Sequence, residues 1–195
     1  MKIRPRTGVQ KQKQTVHDEV ARARRLGPLL DPVCVQDCPD FNPGNPCHRM
    51  CSWAPLRLSS EPQDAPLETG IVPLVFELKK LGVFEPCWSC EGHNDAQSVL
   101  WKHPRVWFYS DSVVHVRALS IALNKLFANG ALSAPWVVMV TFSDADNPDT
   151  TFSLEPSSLV AGAKLVDLKA DVGVIAENLG VVFWQACNQV DTHVP

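Results

Sequence analysis

Eight of the chain's 16 prolines fall in one stretch, at Pro28, Pro32, Pro39, Pro43, Pro46, Pro55, Pro62 and Pro66. Each removes a backbone donor and restricts the residue before it. Residues 28–66 are therefore not expected to form regular helices and strands, and they divide the sequence into three. A basic arm covers 1–27, the Pro/Cys-rich segment covers 28–66, and a regular globular domain covers 67–195. With 45% hydrophobic and 20% charged residues, the chain has enough apolar content for one core, which must lie in the third part.

A long segment without its own core needs a staple, and this one holds two C-x3-C pairs, Cys34/Cys38 and Cys47/Cys51. The turn-forming bridge Pro39-Asp-Phe-Asn-Pro-Gly-Asn-Pro46 lies between them. Four thiolates at this spacing can close around zinc and replace the missing core. The expectation is a zinc-knuckle-like site of Cys34, Cys38, Cys47 and Cys51. An iron–sulfur cluster, a pair of disulfides, or a site shared with Cys87 and Cys90 are the alternatives.

From Leu67 the apolar spacing becomes regular. Ile71–Leu81 predicts a helix, with Pro73 near its start and Gly82 at its end. Val83–Trp88 predicts a strand, Asn94–His103 a polar loop, and Arg105–Tyr109 a second strand. Ser110-Asp-Ser112 offers an N-cap for a helix over Val113–Asn129, closed by Gly130. Trp136–Phe142 and Thr150–Leu154 predict a pair of strands. Leu165, Leu168, Val172, Ile175 and Leu179 then recur at helical spacing, and periodicity leaves Val181–Trp184 undecided between helix and strand. The fold class expected is α+β: two αββ units plus a C-terminal helix, forming a four-stranded, largely antiparallel sheet with helices on one face.

The chemistry concentrates in Cys87-Trp-Ser-Cys-Glu-Gly-His93. Gly92 permits a sharp turn, and a sharp turn can aim Cys87, Cys90 and His93 at one point. Three uses compete. The three side chains can form a second metal site with an open position. Cys87 and Cys90 can form a redox pair. Cys90 can act as a nucleophile with His93 as base, oriented by Glu91 or Asp95. A purely structural turn is the plain alternative. Arg105, on the following strand, is the candidate cation for an anionic ligand.

Leu78-Lys-Lys-Leu-Gly82, Ser89-Cys-Glu-Gly-His93 and Pro104-Arg-Val-Trp-Phe-Tyr109 together resemble small bacterial proteins of uncharacterised function that carry a helix–strand–SCxGH–strand pattern. The cysteine turn is also faintly similar to that of wybutosine-synthesis methyltransferases. That likeness implies tRNA as a substrate and S-adenosylmethionine as a cofactor. An RNA partner also suits residues 1–25, where eight Lys and Arg stand against Asp18 and Glu19, because each phosphate contact adds salt-dependent affinity.

The opening residues lack the apolar run of a secretory signal, and no stretch approaches the ~18 apolar residues of a membrane span. The expectation is a cytoplasmic protein, in which seven cysteines serve as metal ligands or reactive thiols. The leading expectation for function is a zinc-binding protein with a Cys/His ligand or catalytic site at the SCEGH turn. An RNA-binding or tRNA-modifying protein, and a non-enzymatic interaction module with structural zinc, are the alternatives. The ligand expected is a small molecule or a macromolecule, with no membrane partner.

Overall fold

The structure, a computed structural model, describes residues 9–27, 47–142, 150–157 and 162–192. Cys34 and Cys38 lie outside the described residues, so the four-cysteine site expected between 28 and 66 lies outside them too. Of that segment, Cys47 and Cys51 are half-buried and four residues form a single helical turn, α2 (Ala54–Arg57). No described helix is long and apolar enough to cross a membrane.

The α+β architecture is as expected. Helix α1 (Val9–Leu26) precedes α2, and α3 (Val72–Lys80) then leads into strand β1 (Glu85–Cys90). A short hairpin, β2 (His93–Asn94) and β3 (Leu100–Lys102), is followed by β4 (Arg105–Tyr109) and α4 (Val113–Ala128). Strands β5 (Trp136–Phe142) and β6 (Thr150–Pro156) precede the long helix α5 (Leu165–Thr192). The main sheet has the order β1-β4-β6-β5 with every pairing antiparallel. Each αββ unit thus contributes one hairpin, and the two hairpins join through β4 and β6.

Alternation along the central strands sets the layers. Val106 and Phe108 of β4 are fully buried with Phe152 and Leu154 of β6, while Arg105, Trp107 and Tyr109 are only partly covered. The buried set faces α3, α4 and α5. Phe84 packs edge-on to both Phe108 and Phe183, which ties the sheet to α5. Burying side chains of this size is worth about 1.5–3 kcal/mol each.

Helix starts and stops follow the residues read for them. The Ser112 side chain accepts from the Val114 N–H as the N-cap of α4, and Gly130 ends that helix at φ +72°. Gly82 terminates the α3 region at φ +74°. At the junction of α4 and β5, the buried Asp171 of α5 accepts from Ser133 N at 2.8 Å, Ala134 N at 3.2 Å and Trp136 Nε1 at 3.1 Å. One carboxylate satisfies the donors of a partly buried turn that has no ladder of its own.

Three features depart from expectation, and one open choice is decided. The polar loop after His93 contains the β2–β3 hairpin, stabilised by Asp95 Oδ1, which accepts from the N–H groups of Gln97 and Val99. Helix α5 continues through Val181–Trp184 to Thr192, because Val182, Phe183, Ala186, Cys187 and Val190 extend its buried stripe. Strand β1 starts and ends two residues later than expected. It is an edge strand, where Pro86 is tolerated, and a bulge between Pro86 and Trp88 adjusts its register.

The remaining departure concerns the basic arm. The stretch read as a basic arm forms helix α1 from Val9, and its Val20 and Ala23 are fully buried. Val20 joins the same apolar core as α3, α4 and α5. Arg22 pairs with Asp111 and Arg24 with Asn188, so these two cations of the basic stretch are used within the molecule.

Candidate metal centre

Cys90 is the last residue of β1, and its Cα partner across the ladder is Arg105. The chain then reverses through Glu91 and Gly92, and His93 opens β2. Gly92 has φ +84°, a conformation that favours glycine. It is also pressed against its neighbours. A Cβ there would stand 2.8 Å from Pro104 N, Pro104 Cδ and Leu165 Cδ1. The expected need for glycine is therefore met, and the close approach is to Pro104 and α5.

The turn brings Cys90 and His93 together, and a third group joins them from the loop before α3. Glu68 offers a carboxylate oxygen, Cys90 a thiol sulfur and His93 a ring nitrogen, all within 4.8 Å of one another. His93 Nε2 lies 2.9 Å from Glu68 Oε1. Cys90 is buried, whereas Glu68 and His93 are each 39% exposed along the side chain. The site is thus open to solvent on the carboxylate–imidazole side and closed on the sulfur side.

Glu68 is held by its second oxygen, since Oε2 accepts the Glu91 backbone N–H at 2.7 Å. Glu91 returns the contact, with Oε2 accepting the Gly70 N–H at 2.8 Å. Its other oxygen accepts from Lys169 Nζ of α5 at 2.7 Å. The Lys169 hydrogen bond is the main reason that the Glu91 carboxyl sits below the usual carboxylate range. Partial burial opposes the shift, and the Gly70 N–H and the charges of Lys169 and His93 assist it.

The other expected site residues fall elsewhere. Cys87 is not among the three converging donors. It sits at the bulge of β1, where burial pushes its thiol up, partly offset by a hydrogen bond from Tyr109. A raised thiol is the opposite of what a nucleophile or redox pair requires. Glu91 and Asp95 are the residues expected to orient His93, but Glu68 occupies that position, while Glu91 serves Gly70 and Lys169. Arg105 is the ladder partner of Cys90, and its guanidinium lies 3.8 Å from Glu155.

Glu68 is the residue that the sequence did not reveal. It precedes Cys90 by a helix and a strand and belongs to no spacing motif, so only the folded loop shows its role. It also lines a groove of about 620 Å³ between β1 and residues 57–68, whose walls include Cys87, Trp88 and Tyr109.

Chemically the donor set suits zinc. Thiolate, imidazole and carboxylate are its ordinary protein ligands, and bonds of about 2.0–2.3 Å would place tetrahedral donors roughly 3.3–3.6 Å apart. The Glu68–His93 contact at 2.9 Å would open slightly, and the sulfur, within 4.8 Å of both, would complete the set. Compared with protein-family models, with curated proteins and with solved structures, the chain finds no match.

Proposed function

We propose that the protein is a zinc-binding protein whose centre is Glu68, Cys90 and His93, with a fourth coordination position open to a water or a ligand group. The observation that carries this is the convergence of the three donor atoms within 4.8 Å, drawn from two separate segments of the chain. Three protein ligands and an open position are the arrangement of catalytic rather than structural zinc. There the ion would polarise a carbonyl or phosphoryl oxygen, or lower the pKa of a bound water. The partly exposed Glu68–His93 side gives access, and the groove that Glu68 lines gives a ligand somewhere to lie.

The test is metal content of the purified chain by elemental analysis, for wild type, His93→Ala and Cys90→Ser. Each variant should lose about one zinc per chain relative to wild type, whatever the four N-terminal cysteines bind. Titration with Co(II) should give the near-ultraviolet charge-transfer band of a cobalt–thiolate bond, and Cys90→Ser should abolish that band's contribution from this site. Equal metal content in all three proteins would reject the centre.

A further inference from the structure

Glu68 comes from a loop, and a loop carboxylate half open to solvent has many rotamers and a mobile backbone. Something must hold it against His93 if the three donors are to converge. Its own segment fixes the backbone, through Ile71 N–H to the Glu68 carbonyl at 3.1 Å and Leu67 N–H to the Pro55 carbonyl at 3.0 Å, but neither bond reaches the Glu68 carboxylate.

What holds the carboxylate is the turn itself. Glu91 contributes its backbone N–H to Glu68 and its side chain to the backbone of Gly70, two residues farther on. The two segments therefore grip each other at both ends of a three-residue stretch. The fit is close, since a Cβ on Gly70 would stand 2.5 Å from Glu91 Oε2. Lys169 occupies the remaining Glu91 oxygen and anchors the pair to α5.

The geometry points to Glu91 as the positioning residue of this centre: by pinning the Gly70 backbone it presents the Glu68 carboxylate to His93 and, on the zinc reading above, to the ion. Glu91 touches neither the ion nor a substrate in this role. It acts through Glu68, as outer-shell partners of metal ligands do. Lys169 is the second part of the device, because it holds the Glu91 side chain in the orientation that Gly70 needs.

Two measurements test this, and they fail separately. The first needs no metal. In Glu91→Ala the backbone N–H of residue 91 is retained, yet it should lose its acceptor as Glu68 is released. Hydrogen exchange at residues 70 and 91, corrected for intrinsic rates, should quicken at least about tenfold, while Phe108 in the core keeps its protection. Gly70→Ala, which crowds Glu91 without removing its charge, should do the same. Unchanged exchange at residue 91 in Glu91→Ala would overturn the inference, as would faster exchange spread evenly over the whole fold.

The second measurement is Co(II) binding to the full chain. Glu91→Ala should weaken binding at this site about 10–100-fold, the usual size of an outer-shell loss. Its cobalt–thiolate band should persist while the ligand-field bands change as water replaces Glu68. Glu91→Gln keeps one acceptor oxygen, for Gly70 or for Lys169 but not for both, and should recover only part of the affinity. Binding in Glu91→Ala within twofold of wild type, with only a lower melting temperature, would overturn the role at the metal. A wild-type protein without any Cys90-dependent cobalt band would instead refute the zinc reading. Hydrogen exchange would then decide, without reference to any metal, whether Glu91 positions Glu68.

Discussion

His93 Nε2 lies 2.9 Å from Glu68 Oε1, with the Cys90 sulfur close to both. An ion pair between two half-exposed groups contributes little to stability, typically no more than about 1 kcal/mol. Its meaning is geometric, because it holds two potential ligands at nearly their coordinated separation. If the centre holds zinc as proposed, Glu68→Gln should cost at least about tenfold in affinity, measured by competition with a chelating dye. Asp95→Asn is the control, since Asp95 serves only its own turn through Gln97 and Val99. Equal losses in the two variants would mean that Glu68 is no ligand.

Gly92→Ala should be among the most damaging single-methyl changes in the protein. It forces an L-residue to φ +84° and drives a carbon against the Pro104 backbone and Leu165. Strain and overpacking together should cost on the order of 3 kcal/mol. Urea denaturation gives the number, and a loss below about 1 kcal/mol would show that the turn relaxes easily. Gly173→Ala is the contrast, because a Cβ there meets nothing within 4 Å in the interior of α5. That change should stabilise by up to about 1 kcal/mol.

Asp171→Ala should also destabilise strongly. It strands two buried donors, the N–H groups of Ala134 and the Trp136 ring, and removes the partner of the more exposed Ser133 N–H and hydroxyl. At about 1–3 kcal/mol for each unsatisfied group, offset in part by entering water, the expected loss is about 3–5 kcal/mol. Asp171→Asn keeps one acceptor oxygen and should lose less. Thermal and urea unfolding would decide it, and equal stability of Asp171→Ala and wild type would refute the account of the α4–β5 junction.

The thiols should separate by pH. Burial pushes Cys187 up to about 12 from an ordinary value of 9.0. The neutral thiol is therefore favoured by folding. Its contribution is complete below pH 9 and declines as pH rises towards 12, where the unfolded chain has already released the proton. Native protein at pH 8.5 should leave Cys187 unalkylated while urea exposes it. Raising the pH from 8 to 10.5 should lower the unfolding midpoint of wild type more than that of Cys187→Ala. The same fall in both would assign the alkaline loss to other groups.

Much of this architecture was legible because it depends on local pattern. The limits of β4 and β5, the Ser112 cap and the αββ repeat follow from alternation, β-branching and capping chemistry, which act over a few residues. The extent of α5 was not legible at Val181–Trp184, since a short apolar run satisfies either period and only packing against α3 and α4 selects the helix. Likewise, α1 looked like a solvated arm because its mean character is basic. What seats it is the burial of Val20 and Ala23 against α4 and α5, which lie far along the chain.

The candidate centre divides in the same way. That Cys90 and His93 meet is written into the sequence, because Gly92 supplies the one backbone conformation that folds the turn between them. That Cys87 stays apart was decided by the β1 register and its bulge, and that Glu68 completes the set was decided by the clasp with Glu91. Spacing can specify donors that share a turn. A donor from another segment is specified only by the tertiary contacts that bring its loop there, and here those contacts are hydrogen bonds to backbone N–H groups, which leave no signature in residue type.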